Sequence, residues 1–273
     1  MRKFEGIMIC TDLDGTLIGS GGKISMENLD AIEYFKANGG IFTFITGRVP
    51  MTAWYIYDTI RPNAPYGCIN GGGIYDHRSQ KYLWSASLPE SYRELLECVD
   101  RELPGVGIQI NTESGIYFCK DCPAMKPFHD IIGDAGRVCD FHTFDEPVAK
   151  IVFADNDEEQ IEKLIELLNT HPSADKFDFT RSEKTLYEIL PKGISKGTAM
   201  MKMAELLGID PEKTVAIGDY NNDIAMIKAA GLGVAVANAV PEAKAVADHI
   251  TVSNDEHAIA RVIYDIESGM LKI

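Results

Sequence analysis

Short apolar runs punctuated by Asp, Gly and Thr alternate with amphipathic stretches over the first 84 residues, and the pattern returns after residue 191. Residues 7–11 and 41–45 are mostly apolar runs of strand length, the pattern of strands covered on both faces. Between them Ser25 is a helix cap, Leu29, Ile32 and Phe35 recur at helical spacing, and Gly39-Gly40 is a stop. Pro50 opens a second helix. Residues 66–69 form a third, short strand, and 74–76 with 81–84 read as a hairpin around His77-Arg78-Ser79-Gln80. Repeated strand–helix units of this kind predict a mostly parallel sheet with helices on both sides.

The pattern changes near residue 84. A helix over 91–102, strands over 107–111 and 116–119, a loop-rich helical stretch, and a strand over 148–154 come first. A helix over 158–169 and strands over 177–180 and 186–190 follow. Consecutive strands with few interleaved helices describe an α+β module. After Pro191-Lys192-Gly193 the alternation resumes: helix 195–207, strand 214–217, helix 222–230, strand 233–236, helix 242–246, strand 250–252 and helix 256–266. The expected fold is therefore α/β: a Rossmann-like parallel-sheet core in two pieces, 1–83 and 191–273, with an inserted α+β cap at 84–190.

Composition narrows the partners. The formal charge of −15 opposes nucleic acid and anionic membrane, so neither is an expected partner. An anionic substrate would need a metal, Lys or Arg inside the site to reverse that field. The apolar stretch before Asp12 is too short for a signal peptide, and no run reaches a membrane span, so a cytoplasmic location is expected. The six cysteines are expected as free thiols. Cys119 and Cys122 form one CxxC, weak evidence for zinc or redox chemistry without a second pair, with Cys139 a conceivable third thiolate. His129, His142 and His171 lack ligand spacing and read as surface or structural groups.

The candidate chemistry sits at strand ends. The first strand stops at Asp12-Leu13-Asp14-Gly15, which reads either as a solvated turn or as an oxygen-rich site for a divalent cation. The second ends at Thr46-Gly47-Arg48 and a later one at Gly218-Asp219, while Ser195-Lys196-Gly197 opens a helix. Parallel strands share one C-terminal edge, so these elements converge there. Asp219 would add a third carboxylate, and Thr46 and the Gly47 N–H would hold phosphoryl oxygens. Lys196 would supply fixed positive charge and Asn222 a further donor. Asp223 would orient either Lys196 or a metal-bound water.

Asp12-Leu13-Asp14-Gly15-Thr16, Thr46-Gly47-Arg48, Lys196 and Gly218-Asp219-Tyr220-Asn221-Asn222-Asp223 together resemble the four motifs of the haloacid dehalogenase superfamily. The long insert, Ile69-Asn70-Gly71-Gly72 and residues 188–197 are similar to its Cof-type, sugar-phosphatase-like branch. The resemblance implies that Asp12 is the nucleophile and becomes an aspartyl phosphate. It implies that Asp14 protonates the leaving oxygen and then activates water. Mg²⁺ would be held by Asp12, Asp219 and the Asp14 backbone carbonyl. Thr46, Gly47, Lys196, Asn222 and the Leu13 N–H would hold phosphate. Arg48 would contact substrate or pair with an acidic neighbour, and Asn70 and Gly71 would border the pocket.

The expected activity is Mg²⁺-dependent hydrolysis of a small phosphorylated metabolite, a sugar phosphate foremost, by a monomer or small homo-oligomer. A phosphomutase with the same nucleophile, or a non-catalytic phosphate-binding regulatory module, are the alternatives.

Overall fold

The computed structural model describes residues 2–133 and 136–273. The chain begins with β1 (Met8–Thr11), α1 (Met26–Ala37), β2 (Ile41–Phe44), α2 (Pro50–Ile60), β3 (Tyr66–Cys68), β4 (Gly73–Asp76) and β5 (Lys81–Ser85). It continues through α3 (Tyr92–Glu102), β6 (Gly107–Asn111), β7 (Ile116–Lys120), α4 (Lys126–Ile132) and β8 (Arg137–Val138). Next come β9 (Lys150–Ala154), α5 (Glu158–Asn169), β10 (Phe177–Glu183) and β11 (Leu186–Pro191). The last stretch is α6 (Lys196–Leu207), β12 (Thr214–Gly218), α7 (Ile224–Ala229), β13 (Leu232–Ala235), α8 (Pro241–Val246), β14 (His249–Ile250) and α9 (Ala258–Glu267).

Two compact units emerge: residues 1–47, 54–83 and 195–273 in the first, and 48–53 with 84–194 in the second. The first contains a parallel sheet in the order β14-β13-β12-β1-β2. All four residues of β1 are buried, as are all of β12 and β13, which is why these strands read as unbroken apolar runs rather than alternating ones. Chain connectivity leaves β1 toward β2 on one side and β12 toward β13 on the other. The β1/β12 seam is thus the switch point where α/β sheets open a crevice at their C-terminal edge.

Helix ends follow local chemistry. Ser25 caps α1 by accepting from the Asn28 N–H, and Ser195 and Thr198 form a reciprocal cap on α6. Gly208 closes α6 in the left-handed conformation.

Several elements differ from the sequence expectation. β3 joins a separate sheet, β3-β4-β5, and meets the end of β2 at the Ile45–Gly67 bridge rather than extending the parallel ladder. The expected helix over 222–230 starts as a 3-10 turn, Asn221–Asp223, before α7. The expected boundary at 191 lies inside the second unit. Pro191 ends β11 opposite Phe177, and Asp178 of β10 then holds the Lys192 ammonium at 2.7 Å and the Gly193 N–H at 2.6 Å.

The second unit is a mostly antiparallel sheet in the order β10-β11-β9-β6-β7-β8. Ile108, Ile110, Ile151, Phe153, Tyr187 and Ile189 project from one face into a core with Leu95, Leu96 and Val99 of α3 and Ile161, Leu164 and Leu168 of α5. Strand alternation puts Gln109, Asn111, Lys150 and Glu188 on the opposite face. All four are buried, and Lys150 Nζ stands 3.0 Å from Glu188 Oε2. Removing one member of such a pair strands a buried charge, at a cost of about 3–5 kcal/mol. Lys150→Met is therefore expected to lower the urea midpoint of this unit, and an unchanged midpoint would contradict the pairing.

The cysteine expectation is corrected. Cys119 and Cys139 form a disulfide, with Cα atoms 4.7 Å apart, and the CxxC partner Cys122 is a free thiol near the Ala154 carbonyl. Cys139 follows the short edge strand β8, which pairs with β7 and so carries it to Cys119. Among the described residues no helix is long and apolar enough to cross a membrane.

Candidate active site

Asp12 continues β1 past its last residue, and its N–H donates to the Ile217 carbonyl of β12 at 2.8 Å. The β1/β12 register thereby fixes Asp12 beside Gly218 and Asp219. Lys196, in the first turn of α6, is 1% exposed. Its ammonium donates to Asp12 Oδ1 at 2.5 Å and to Asp223 Oδ1 at 2.6 Å. The other Asp223 oxygen accepts the N–H groups of Asp219 and Tyr220 at 2.9 and 3.0 Å. One carboxylate therefore shapes the 219–223 turn and anchors the lysine. Of the two partners the sequence left open for Asp223, the structure places it on Lys196.

Asp219 is held from the other side. Thr16 Oγ1 donates to Asp219 Oδ1 at 2.7 Å. Gly15 has φ +84, and a Cβ there would stand 2.6 Å from Asp219 Oδ2. Only glycine meets both conditions, the left-handed turn and the close approach. Sequence reasoning gave Thr16 no role, although its place in the Asp-Gly-Thr triplet was the available signal.

Thr46 is buried after β2; its N–H donates to the Gly67 carbonyl, and its carbonyl accepts from the Asn70 N–H, both at 3.0 Å. Asn222 Nδ2 donates to Asn70 Oδ1 at 3.0 Å. Leu13 buries its side chain, and its carbonyl accepts from Leu17 and Ile18 in the turn after β1. Asp14 is exposed, unlike Asp12. Arg48 belongs to the second unit, and its guanidinium is 3.5 Å from the Thr52 carbonyl.

Three carboxylates, Asp12, Asp219 and Asp223, bring oxygens within 4.8 Å of one another. Asp223 stands in this cluster where the resemblance had named Asp14, whose expected contribution was a backbone oxygen. One lysine charge cannot balance three acids, and the acidities register the excess. Burial pushes the Asp12 carboxyl well above the usual carboxylate range; Lys196 opposes the rise, while Asp223, Asp219 and Asp14 add to it. Burial, then Asp223, pushes Asp219 up to about 6, against the Thr16 hydrogen bond and Lys196. For Lys196 burial pulls downward, but the charges of Asp12 and Asp223 outweigh it and keep the ammonium protonated. A cluster of hard oxygens with uncompensated negative charge fits a divalent cation. Because both Asp223 oxygens are committed, Asp12 and Asp219 are the carboxylates suited to hold it.

Comparisons with known proteins place the chain in a family. The family of haloacid dehalogenase-like hydrolases matches residues 9–263. The chain is 30% identical over 256 residues to the 5-amino-6-(5-phospho-D-ribitylamino)uracil phosphatase YcsE of Bacillus subtilis, covering 94% of each protein. It is 28% identical over 298 residues to a second such phosphatase of that organism, YwtE, covering 96% of this chain and 98% of the relative. The crystal structure of a haloacid dehalogenase-like hydrolase from Bacteroides thetaiotaomicron superposes with a TM-score of 0.82 at 28% identity, over 95% of this chain and 99% of that one. The family match spans nearly the whole chain and the relatives are phosphatases; this chain belongs to the haloacid dehalogenase-like hydrolases and is a phosphatase of that family.

Proposed function

We propose that the protein is a Mg²⁺-dependent phosphatase that hydrolyses a small sugar or polyol phosphate through an aspartyl phosphate on Asp12. The observation that carries this reading is the Lys196 ammonium clamped between Asp12 and Asp223 at the switch point of a parallel sheet, with Asp219 alongside. The clamp aims the Asp12 carboxylate and keeps a fixed positive charge where a phosphoryl group would arrive. An Asp12 oxygen attacks phosphorus, the bond to the leaving oxygen breaks, and Asp14 delivers a proton to that oxygen. Water then attacks the aspartyl phosphate, Asp14 takes up the water's proton, and inorganic phosphate leaves. Asp14 suits the proton transfers because it is exposed, whereas Asp12 is buried and ion-paired. Thr46, the N–H groups of Leu13 and Gly47, and Asn222 would hold the phosphoryl oxygens. Arg48 would meet the rest of the substrate.

Mg²⁺ held by Asp12, Asp219 and the Asp14 carbonyl would screen the repulsion between carboxylate and phosphate. Support for a hydroxyl-rich leaving group comes from the two Bacillus relatives, which act on a phosphorylated ribityl compound. Phosphate release from a panel of sugar, polyol and nucleoside monophosphates, with Mg²⁺ and with EDTA, tests the proposal. Release from none of them, or release that EDTA leaves unchanged, would sink it; isomerised product without free phosphate would favour the mutase.

The acidities predict how the cation acts on stability. Asp219 titrates near 6 in the folded chain against an ordinary value of 3.8. A raised folded pKa leaves stability unaffected below about pH 4 and withdraws it as pH climbs toward 6. Above pH 6 the cation offsets that loss, by about 2.7 kcal/mol at a hundredfold excess over its Kd. Mg²⁺ is therefore expected to raise the melting temperature clearly at pH 7.5 and little at pH 5. Equal shifts at both values would contradict the site.

A further inference from the structure

The turn between β3 and β4 carries three successive left-handed residues: Ile69 at φ +56, Asn70 at +53 and Gly71 at +94. For β-branched Ile69 this is a genuine outlier, and such conformations persist only where the surroundings over-determine them. The surroundings here are the phosphate-binding candidates. Asn70 donates its N–H to the Thr46 carbonyl, and its Oδ1 accepts from Asn222 Nδ2, each at 3.0 Å. The same oxygen stands 3.0 Å from where a Gly47 Cβ would lie. Gly71 packs so closely on the start of α6 that a Cβ would sit 2.1 Å from the Ser195 carbonyl oxygen and 2.9 Å from the Lys196 nitrogen. Asn70 is 1% exposed, so this amide is aimed at protein rather than at water.

We propose that Asn70 is a positioning residue that sets the Asn222 amide and the Thr46-Gly47 loop in one rigid cradle for the phosphoryl group. This rests on the phosphatase reading above. Asn222 Nδ2 carries two hydrogens. Asn70 takes one, which fixes the plane of the amide and leaves the second to be directed at a phosphoryl oxygen. The backbone bond to Thr46 holds the loop on the opposite side in the same register. Asparagine suits the position because it tolerates the left-handed conformation and offers an acceptor there.

The test is a double-mutant cycle on the full chain with Asn70→Gly and Asn222→Ala. Glycine keeps the left-handed backbone, so only the side chain is lost. The Kd for inorganic phosphate, measured by calorimetry with Mg²⁺ present, is read beside kcat and KM on the best substrate of the panel. Each single variant is expected to weaken phosphate binding about tenfold, the scale of one hydrogen bond to a charged group. The double variant should be no weaker than Asn222→Ala alone, because Asn70 acts through Asn222. Multiplying losses, or an Asn70→Gly Kd equal to wild type, would overturn the proposal. Wild-type protein that binds phosphate but hydrolyses no ester would instead overturn the phosphatase reading while leaving the cycle readable in the Kd values.

Discussion

Asp12→Asn is expected to abolish turnover while leaving the fold intact. Removing a covalent nucleophile costs about 10⁴–10⁶-fold in kcat, since the amide has no anionic oxygen to form the acyl phosphate. On the present reading no phosphoenzyme forms, so rapid acid quench with labelled substrate should trap none. Asp14→Asn should still form the intermediate but slow both proton transfers by about 10²–10⁴-fold. Stability should move the other way in Asp12→Asn. Lys196 keeps Asp223 as a partner, and a cluster of three acids around one ammonium loses an acid. A melting temperature equal to or above that of wild type in EDTA is the expected result. Near-normal turnover by Asp12→Asn would remove Asp12 from the chemistry outright.

Lys196→Met should be the most destabilising substitution in the first unit. The methionine fills similar space, but buried Asp12 and Asp223, with half-buried Asp219 beside them, are left without a counter-charge. Breaking a buried ion network in this way costs about 3–5 kcal/mol. The deficit should depend on pH with a definite sign. Asp12 is raised, and Asp219 titrates near 6 even with the lysine present. Lowering the pH from 7.5 to 5 therefore protonates these groups in the folded variant and restores stability. Urea midpoints in EDTA at the two pH values measure this directly. A deficit of the same size at both would mean that the lysine acts through packing alone. Lys196→Arg should not restore activity, because a planar fork cannot replace a point donor wedged between two carboxylates.

Much of this was legible from strand ends. Asp12, Thr46 and Asp219 follow buried strands of similar pattern, and a shared parallel sheet suffices to converge them. Lys196 was legible from its helix start and from the resemblance. The contacts among these groups were not. Nothing local in the sequence says that Thr16 reaches across 203 positions to Asp219, or that Asn70 meets Asn222. Residues 66–69 read as one more parallel strand because strand partners are a property of tertiary packing, not of the run itself. Spacing alone groups Cys119 with its near neighbour Cys122, whereas its partner lies 20 residues on, carried there by an edge strand of two residues. Lys150 at the start of a strand gave no hint of burial, since a lysine is buried only where a partner such as Glu188 awaits it.

The pairing of β1 with β12 also sets a timetable for biosynthesis. Met8 lies opposite Thr214, with the entire second unit encoded between them. At about 5–20 residues per second, the ribosome delivers that partner roughly 10–40 s after the first strand has emerged. Through that interval β1 can pair with β2 on one side only, and its other edge, Met8-Ile9-Cys10-Thr11, waits as an apolar template open to other chains. Asp12 likewise spends the interval without its lysine. The nascent protein thus has its nucleophile long before it has a site, and this period is when the growing chain most needs shielding from its neighbours.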